Sequence, residues 1–163
     1  KNKKKINVYG NLKTINHLIK RQDYLFKNIS NYPAICKSNI VKKKFVLGKL
    51  SEKILFKTFE AKHGKTKSVV YIFNNTAYIS DSNDLALIRR KELKHLNYLI
   101  IDCLKFKKHP THFNLDEAIF IHNNLKAKKT ILTNLHHDLD YTLLSRMLPK
   151  NILPAYDGLK ISL

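Results

Sequence analysis

Apolar positions along this chain change period more than once. Leu12, Ile15, Leu18 and Ile19 fall on one face of a helix, and Asn11 just before them can cap it. Ile6–Tyr9 upstream reads as a short strand. Tyr24–Ile29 fits neither period, and Pro33 breaks whatever precedes it. From Asn39 the spacing moves towards two. Ile40–Leu47 and Ile54–Phe59 read as strands with Gly48 in the turn between them. Ser68–Phe73 and Thr76–Ser80 read as a hairpin closed by Asn74-Asn75, because Asn tolerates positive φ better than most residues.

Beyond Ser80, helices and strands alternate. Leu85–Leu96 is expected as a helix with Leu85, Ile88 and Leu96 towards the core. Tyr98–Asp102 is a continuous apolar run, as buried parallel strands often are. Asn114 and Glu117 have capping-box spacing for a helix from Leu115 to about Leu125. Lys129–Thr133 is the next strand, Leu139–Leu148 a helix stopped by Pro149, and Leu159–Leu163 a last strand after the turn at Asp157-Gly158. The order is β-rich and then βαβα. It predicts an α/β fold with a mixed β-sheet covered by helices on one face, and the length makes residues 1–163 one domain.

Composition adjusts this reading without overturning it. The 163 residues are 44% hydrophobic and 26% charged, a globular balance. Formal net charge is +19, from 31 Lys and Arg against 12 Asp and Glu. An excess of that size admits a basic RNA-binding module. The excess is almost all Lys, in a chain also rich in Asn and Ile, as an AT-rich coding sequence favours. It is spread along the chain with short runs at Lys3–Lys5 and Lys42–Lys44, and neither run has the Arg and aromatic interleaving of a base-stacking platform. Cys36 and Cys103 form no C-x-x-C pair, so a zinc ribbon or thioredoxin-like site has no support, and Cys103 reads as a buried thiol. A reducing, cytoplasmic setting fits. No apolar stretch reaches the roughly 18 residues of a membrane span. No signal peptide is visible. The chain opens on Lys1 and not Met, and a natural N-terminus upstream is the expectation.

Polar residues with useful chemistry gather where strands end, which is where α/β folds place their sites. They are His63 in Ala-Lys-His-Gly, Asp81 after Thr76–Ser80, Asp102, the pair His109 and His112, the group Asn134, His136 and His137, and Asp157. Singly each has a plain explanation as a loop residue or a helix cap. Together they deliver His, Asp and His again, a ligand set for zinc or manganese. A carboxylate between two imidazoles can bridge two metals that hold a hydroxide nucleophile.

Five segments occur in order with natural spacing: Tyr78-Ile-Ser-Asp81, Leu99-Ile-Ile-Asp-Cys-Leu104, His109-Pro-Thr-His112, the run from Ile131 through Asn134, His136 and His137 to Tyr141, and Pro154-Ala-Tyr-Asp-Gly158. In these the chain resembles the metallo-β-lactamase-fold hydrolases, specifically the branch with the cyclic phosphodiesterase of bacterial phosphonate breakdown. It is more distantly similar to tRNA 3′-processing endonucleases. The resemblance implies the C-terminal half of an αβ/βα sandwich and a site for two divalent ions, zinc or manganese. It implies His63 as a metal ligand and Asp81 as the bridging carboxylate. His112 would contact the substrate phosphate and protonate the leaving group. The last ligand is often Leu-Thr-His in that family. Here the position is Asn134, so the resemblance points two residues on to His136, with His137 as fallback and His109 and Asp157 as further candidates. The family's His-x-His-x-Asp-His lies upstream of the region matched, and this chain contains no His-x-His. It would supply part of the ligand set and hold the paired site incompletely. The implied substrate is a small phosphodiester or an RNA end. The implied partner is an N-terminal half made as a separate chain, or a second copy, covering an apolar face that half a sandwich would expose. A catalytically inactive remnant or interaction protein is the alternative.

Overall fold

The computed structural model describes residues 4–49 and 52–162. The chain divides into two compact units, residues 1–45 and 46–163. In the first, β1 (Ile6–Gly10) leads into α1 (Leu12–Arg21) and α2 (Asp23–Phe26), and then β2 (Cys36–Ile40) returns parallel to β1 with Ile6 opposite Cys36. Asn11 caps α1 as its position predicts, its side chain accepting from the Thr14 backbone N–H at 2.8 Å. Of the large apolar side chains in this unit only Ile15 is buried among the described residues, while Ile6, Leu12, Tyr24, Tyr32, Ile35 and Ile40 are exposed.

The second unit is built on a seven-stranded sheet in the order β3-β4-β5-β6-β7-β8-β9. Its strands are β3 (Lys44–Leu47), β4 (Ile54–His63), β5 (Thr66–Phe73), β6 (Thr76–Ile79), β7 (Tyr98–Asp102), β8 (Lys129–Thr133) and β9 (Ile152–Pro154). The β4–β5 and β5–β6 pairs are antiparallel hairpins, and β6 through β9 run parallel, so the expected mixed sheet is present. Asn74 and Asn75 both have positive φ, at 44° and 55°, in the two-residue turn that joins β5 to β6. α3 (Leu115–Leu125) begins with the full capping box of Asn114 and Glu117 and sends Leu115, Ala118, Ile121 and Leu125 into the core. α4 (Tyr141–Met147) starts at Asp140, whose side chain accepts from the Leu143 N–H, and adds Leu144 to the same core. Cys103 is buried there as expected.

Three expectations need correction. Ile40–Leu47 is not one strand: β2 ends at Ile40 and β3 begins at Lys44, with the ladder interrupted between them. Leu85–Leu96 is not an α-helix but two short 3₁₀ turns, Leu85–Arg89 and Lys91–Leu93. Arg90 between them returns to extended backbone and lays its guanidinium 4.2 Å over the Phe59 ring. The segment buries Leu87, Leu93 and Leu96, and leaves Leu85 exposed. Finally, residues 159–162 form no strand. The sheet edge is taken by β9, which pairs with β8 from Thr130 to Leu132 and ends on Pro154, as proline permits only at an edge.

Candidate metal centre

The parallel strands end side by side, and their ends carry the polar residues. His63 closes β4, Asp81 follows β6 by two residues, and Asp102 closes β7. The loop after β7 closes back on its own base: the Leu104 N–H donates to the Phe113 carbonyl at 2.9 Å, and Leu115 N–H to the Lys105 carbonyl at 3.1 Å. That closure presents His109 and His112. His63, Asp81 and His112 each offer one ligand atom within 4.8 Å of the others.

His112 is oriented from behind. Its Nδ1 lies 2.6 Å from Asp102 Oδ2, which also accepts from the Ser82 backbone N–H at 3.2 Å. Asp102 is fully buried, and its Oδ1 accepts no hydrogen bond among the described residues. Burial pushes the Asp102 carboxyl up to about 6, opposed by the Ser82 N–H and by His112, and reinforced by Asp81. A carboxylate this close puts the proton on Nδ1 and leaves the His112 Nε2 lone pair free. That Nε2 sits 3.4 Å from His63 Nε2. Two imidazole nitrogens facing each other can share a proton or a cation, and Asp81 Oδ1 lies 4.0 Å from His112 Nδ1. Nitrogen, nitrogen and carboxylate oxygen, with one imidazole backed by a buried carboxylate, form a donor set able to hold a metal ion.

Side chains that pattern reading does not single out hold this arrangement together. Asn83 accepts from the Gly64 N–H at 3.0 Å and donates to the Pro110 carbonyl at 2.9 Å, tying the β4–β5 turn to the histidine loop. Gly64 has φ +59°, and a Cβ there would stand 2.5 Å from Thr111 Cγ2, so only glycine lets the loop close. Ser82 and Asn83 carry no residue-type signal for such a role. Asp102 does stand out as a strand-end carboxylate, but only the fold shows which imidazole it meets.

The remaining candidates lie elsewhere. His109 packs its ring 5.1 Å from that of His112, and its pKa is lowered by partial burial and then by the neighbouring His112, Lys105 and His63. Asn134 has φ +59° and donates from Nδ2 to the Ser80 carbonyl. His136 and His137 form a second group with Asp138, each 3.1 Å from one of its oxygens, and His137 is largely exposed. Asp157 is exposed and belongs to neither group.

Solved structures give this geometry its context. A diphosphatase of the PhnP family superposes with a TM-score of 0.82 and 30% identity, over 99% of this chain and 60% of that one. This chain carries the C-terminal part of a metallo-β-lactamase fold. A metallo-β-lactamase-fold protein of Bacillus subtilis matches with a TM-score of 0.67 and 16% identity, over 94% of this chain and 63% of that one. The short form of human tRNase Z matches with 0.61 and 14%, over 99% and 69%. At those identities these two show the fold alone. Among curated proteins, 100 residues (60% of this chain) are 29% identical to a fifth of an octanoyltransferase of Porphyromonas gingivalis strain ATCC BAA-308 / W83. No family model matches the chain. The chain thus spans about three fifths of the diphosphatase and a smaller share of the octanoyltransferase. The metallo-β-lactamase fold is that of metal-dependent hydrolases, and the strand ends of this member carry two side-chain groups able to hold a metal. No helix among the described residues is long and apolar enough to cross a membrane.

Proposed function

We propose that this chain contributes to metal-dependent hydrolysis of a phosphodiester or diphosphate bond. The observation that carries the reading is His112, held by buried Asp102 with its free nitrogen turned to His63 beside Asp81. In this reading His63, Asp81 and, from the loop after β8, His136 would hold divalent ions, zinc or manganese, with Asp81 as the shared carboxylate. The chemistry such an ion would supply is a hydroxide at neutral pH, by lowering the pKa of water to about 7. Hydrolysis adds hydroxide to phosphorus and releases an alkoxide or phosphate that needs a proton. His112 Nε2 would take up the proton that the water loses on becoming hydroxide and pass it to the leaving oxygen, and Asp102 would stabilise the imidazolium formed between the two transfers. The 30% identity to a PhnP-family diphosphatase supports a diphosphate or phosphodiester substrate.

Three side chains are fewer than a paired site uses. The proposal therefore includes further ligands from another polypeptide segment, an N-terminal part made separately or a second copy of the chain. The test is metal content after desalting, followed by hydrolysis of bis(p-nitrophenyl) phosphate and of a dinucleoside diphosphate with added Mn²⁺ or Zn²⁺. Binding of at least one ion per chain that Asp81→Asn and His63→Ala remove, with turnover lost in His112→Ala, is the expected result. An ion that stays bound in both variants would refute the assignment. Absence of turnover in a chain that does bind metal would leave it as a ligand-holding remnant.

A further inference from the structure

The division of the molecule redistributes its charge. Residues 1–45 carry 12 Lys and Arg against a single acid, Asp23, so +11 of the +19 resides in that unit. The other 118 residues carry 19 bases against 11 acids. The excess is therefore not spread evenly, as the linear pattern suggests. Asp23 is itself 4.0 Å from Lys27.

The unit also has a cleft. Lys5, Phe26, Cys36, Lys37 and Ser38 line an open cavity of about 320 Å³. The parallel pairing of β1 and β2 sets Ile6 opposite Cys36, which brings Lys5 and Lys37 to the same place. Both lysines are exposed and neither makes an ion pair among the described residues. Phe26 walls the cleft from α2, and two tyrosines of the unit, Tyr24 and Tyr32, are exposed. Sequence spacing hides the association of bases with aromatic rings, because the elements that carry them are ten or more residues apart.

Ammonium groups that neutralise phosphates, beside an aromatic wall on which an unstacked base can lie, are the two components of a single-strand-binding surface. We propose that the unit of residues 1–45 binds single-stranded nucleic acid, with a phosphate between Lys5 and Lys37 and a base against Phe26. The inference goes beyond the hydrolase reading and does not depend on it, since it needs neither metal nor the strand-end histidines. A free-standing double helix is disfavoured because its bases cannot reach Phe26.

The test uses the full chain in EDTA, which silences the metal centre, and a fluorescein-labelled oligouridylate of about twelve nucleotides. Each phosphate contact to a single strand contributes about 0.7 to the slope of log affinity against log salt. Lys5→Ala with Lys37→Ala should therefore make the slope shallower by about 1.4 and weaken binding about 25-fold at ~0.1 M salt. Phe26→Leu should weaken it about fivefold or more with the slope unchanged. Lys53→Ala with Lys57→Ala removes the same charge from the other unit and should leave both quantities near wild type. Equal weakening by the two double variants would overturn the proposal in favour of diffuse charge. So would inorganic polyphosphate competing as well as the oligonucleotide with Phe26→Leu silent. Absence of oligouridylate binding at low salt would overturn it outright.

Discussion

Asn114 links the fold to the candidate centre, and its removal has a calculable effect. The residue is almost fully buried, and its side chain makes two bonds. Oδ1 accepts from the Glu117 N–H at 3.0 Å, and Nδ2 donates to the Phe106 carbonyl at 3.0 Å. The first caps α3; the second pins the loop that carries His109 and His112. Glu117 returns a bond to the Asn114 N–H at 3.1 Å. Asn114→Ala removes the cap, at about 1 kcal/mol, and also the Phe106 bond, at about 1–2 kcal/mol where a partly buried carbonyl is left unpaired. The sum is about 2–3 kcal/mol. Asn114→Ser keeps a capping oxygen but is too short to reach Phe106, so it should cost about 1 kcal/mol. The chain has no Trp, so urea unfolding is followed by far-UV circular dichroism. A loss below about 1 kcal/mol for the alanine variant, or equal losses for alanine and serine, would refute the two-bond account.

Further perturbations address the same region. Asp102 has its carboxyl raised to about 6 in the folded chain, so its protonated form favours folding. That contribution is complete below the unfolded carboxyl value and is lost as pH rises through about 6. In EDTA, wild type should therefore lose about 3 kcal/mol relative to Asp102→Asn between acid and neutral pH, read by paired urea titrations, and a flat difference would contradict the burial argument. Burial and the neighbouring Asp102 push the Cys103 thiol up to about 12, so iodoacetamide near pH 8 should label Cys36 and spare Cys103, as peptide mass mapping will show. Gly64→Ala must either strain a φ of +59° or displace Thr111, and should cost about 1–3 kcal/mol and weaken any metal held by His63, measured by titration with Zn²⁺ or Mn²⁺.

The elements that pattern reading finds are those whose signals are local. Asn11, the Asn74-Asn75 turn, the apolar run of β7 and the Asn114–Glu117 box each act within a few residues, and each is in place. The elements it misses depend on distant partners. β9 has three residues and exists because β8 offers it an edge. The segment after Asp84 has apolar residues at spacings an α-helix could use, but it breaks at Arg90, where the side chain lies over Phe59 of β4. A window of one segment contains no information about such a ring.

The same division runs through the candidate centre. Histidines and carboxylates at strand ends are visible as residue types, and parallel strands in register bring their ends together, so the convergence of His63, Asp81 and His112 follows from the sheet order. What selects among near neighbours is not visible that way. Asn134 and His136 both follow β8, and residue type alone ranks them poorly. The structure separates their chemistry. Asn134 takes the left-handed conformation that Asn tolerates, and its amide is engaged with the Ser80 carbonyl at the end of β6. It braces two strand ends, a task that histidine at the same place would perform less readily. His136 is held by its backbone N–H to the Leu104 carbonyl at 2.9 Å, and its ring turns to Asp138. An imidazole on a fixed backbone, beside the His137 ring at 3.9 Å and an exposed carboxylate, can exchange that carboxylate for a cation at little cost. Asn134 keeps its Nδ2 on the Ser80 carbonyl and has only its amide Oδ1 to offer, a neutral oxygen and a weaker ligand than an imidazole nitrogen. That difference is the physical ground for seeking the ligand after β8 at His136.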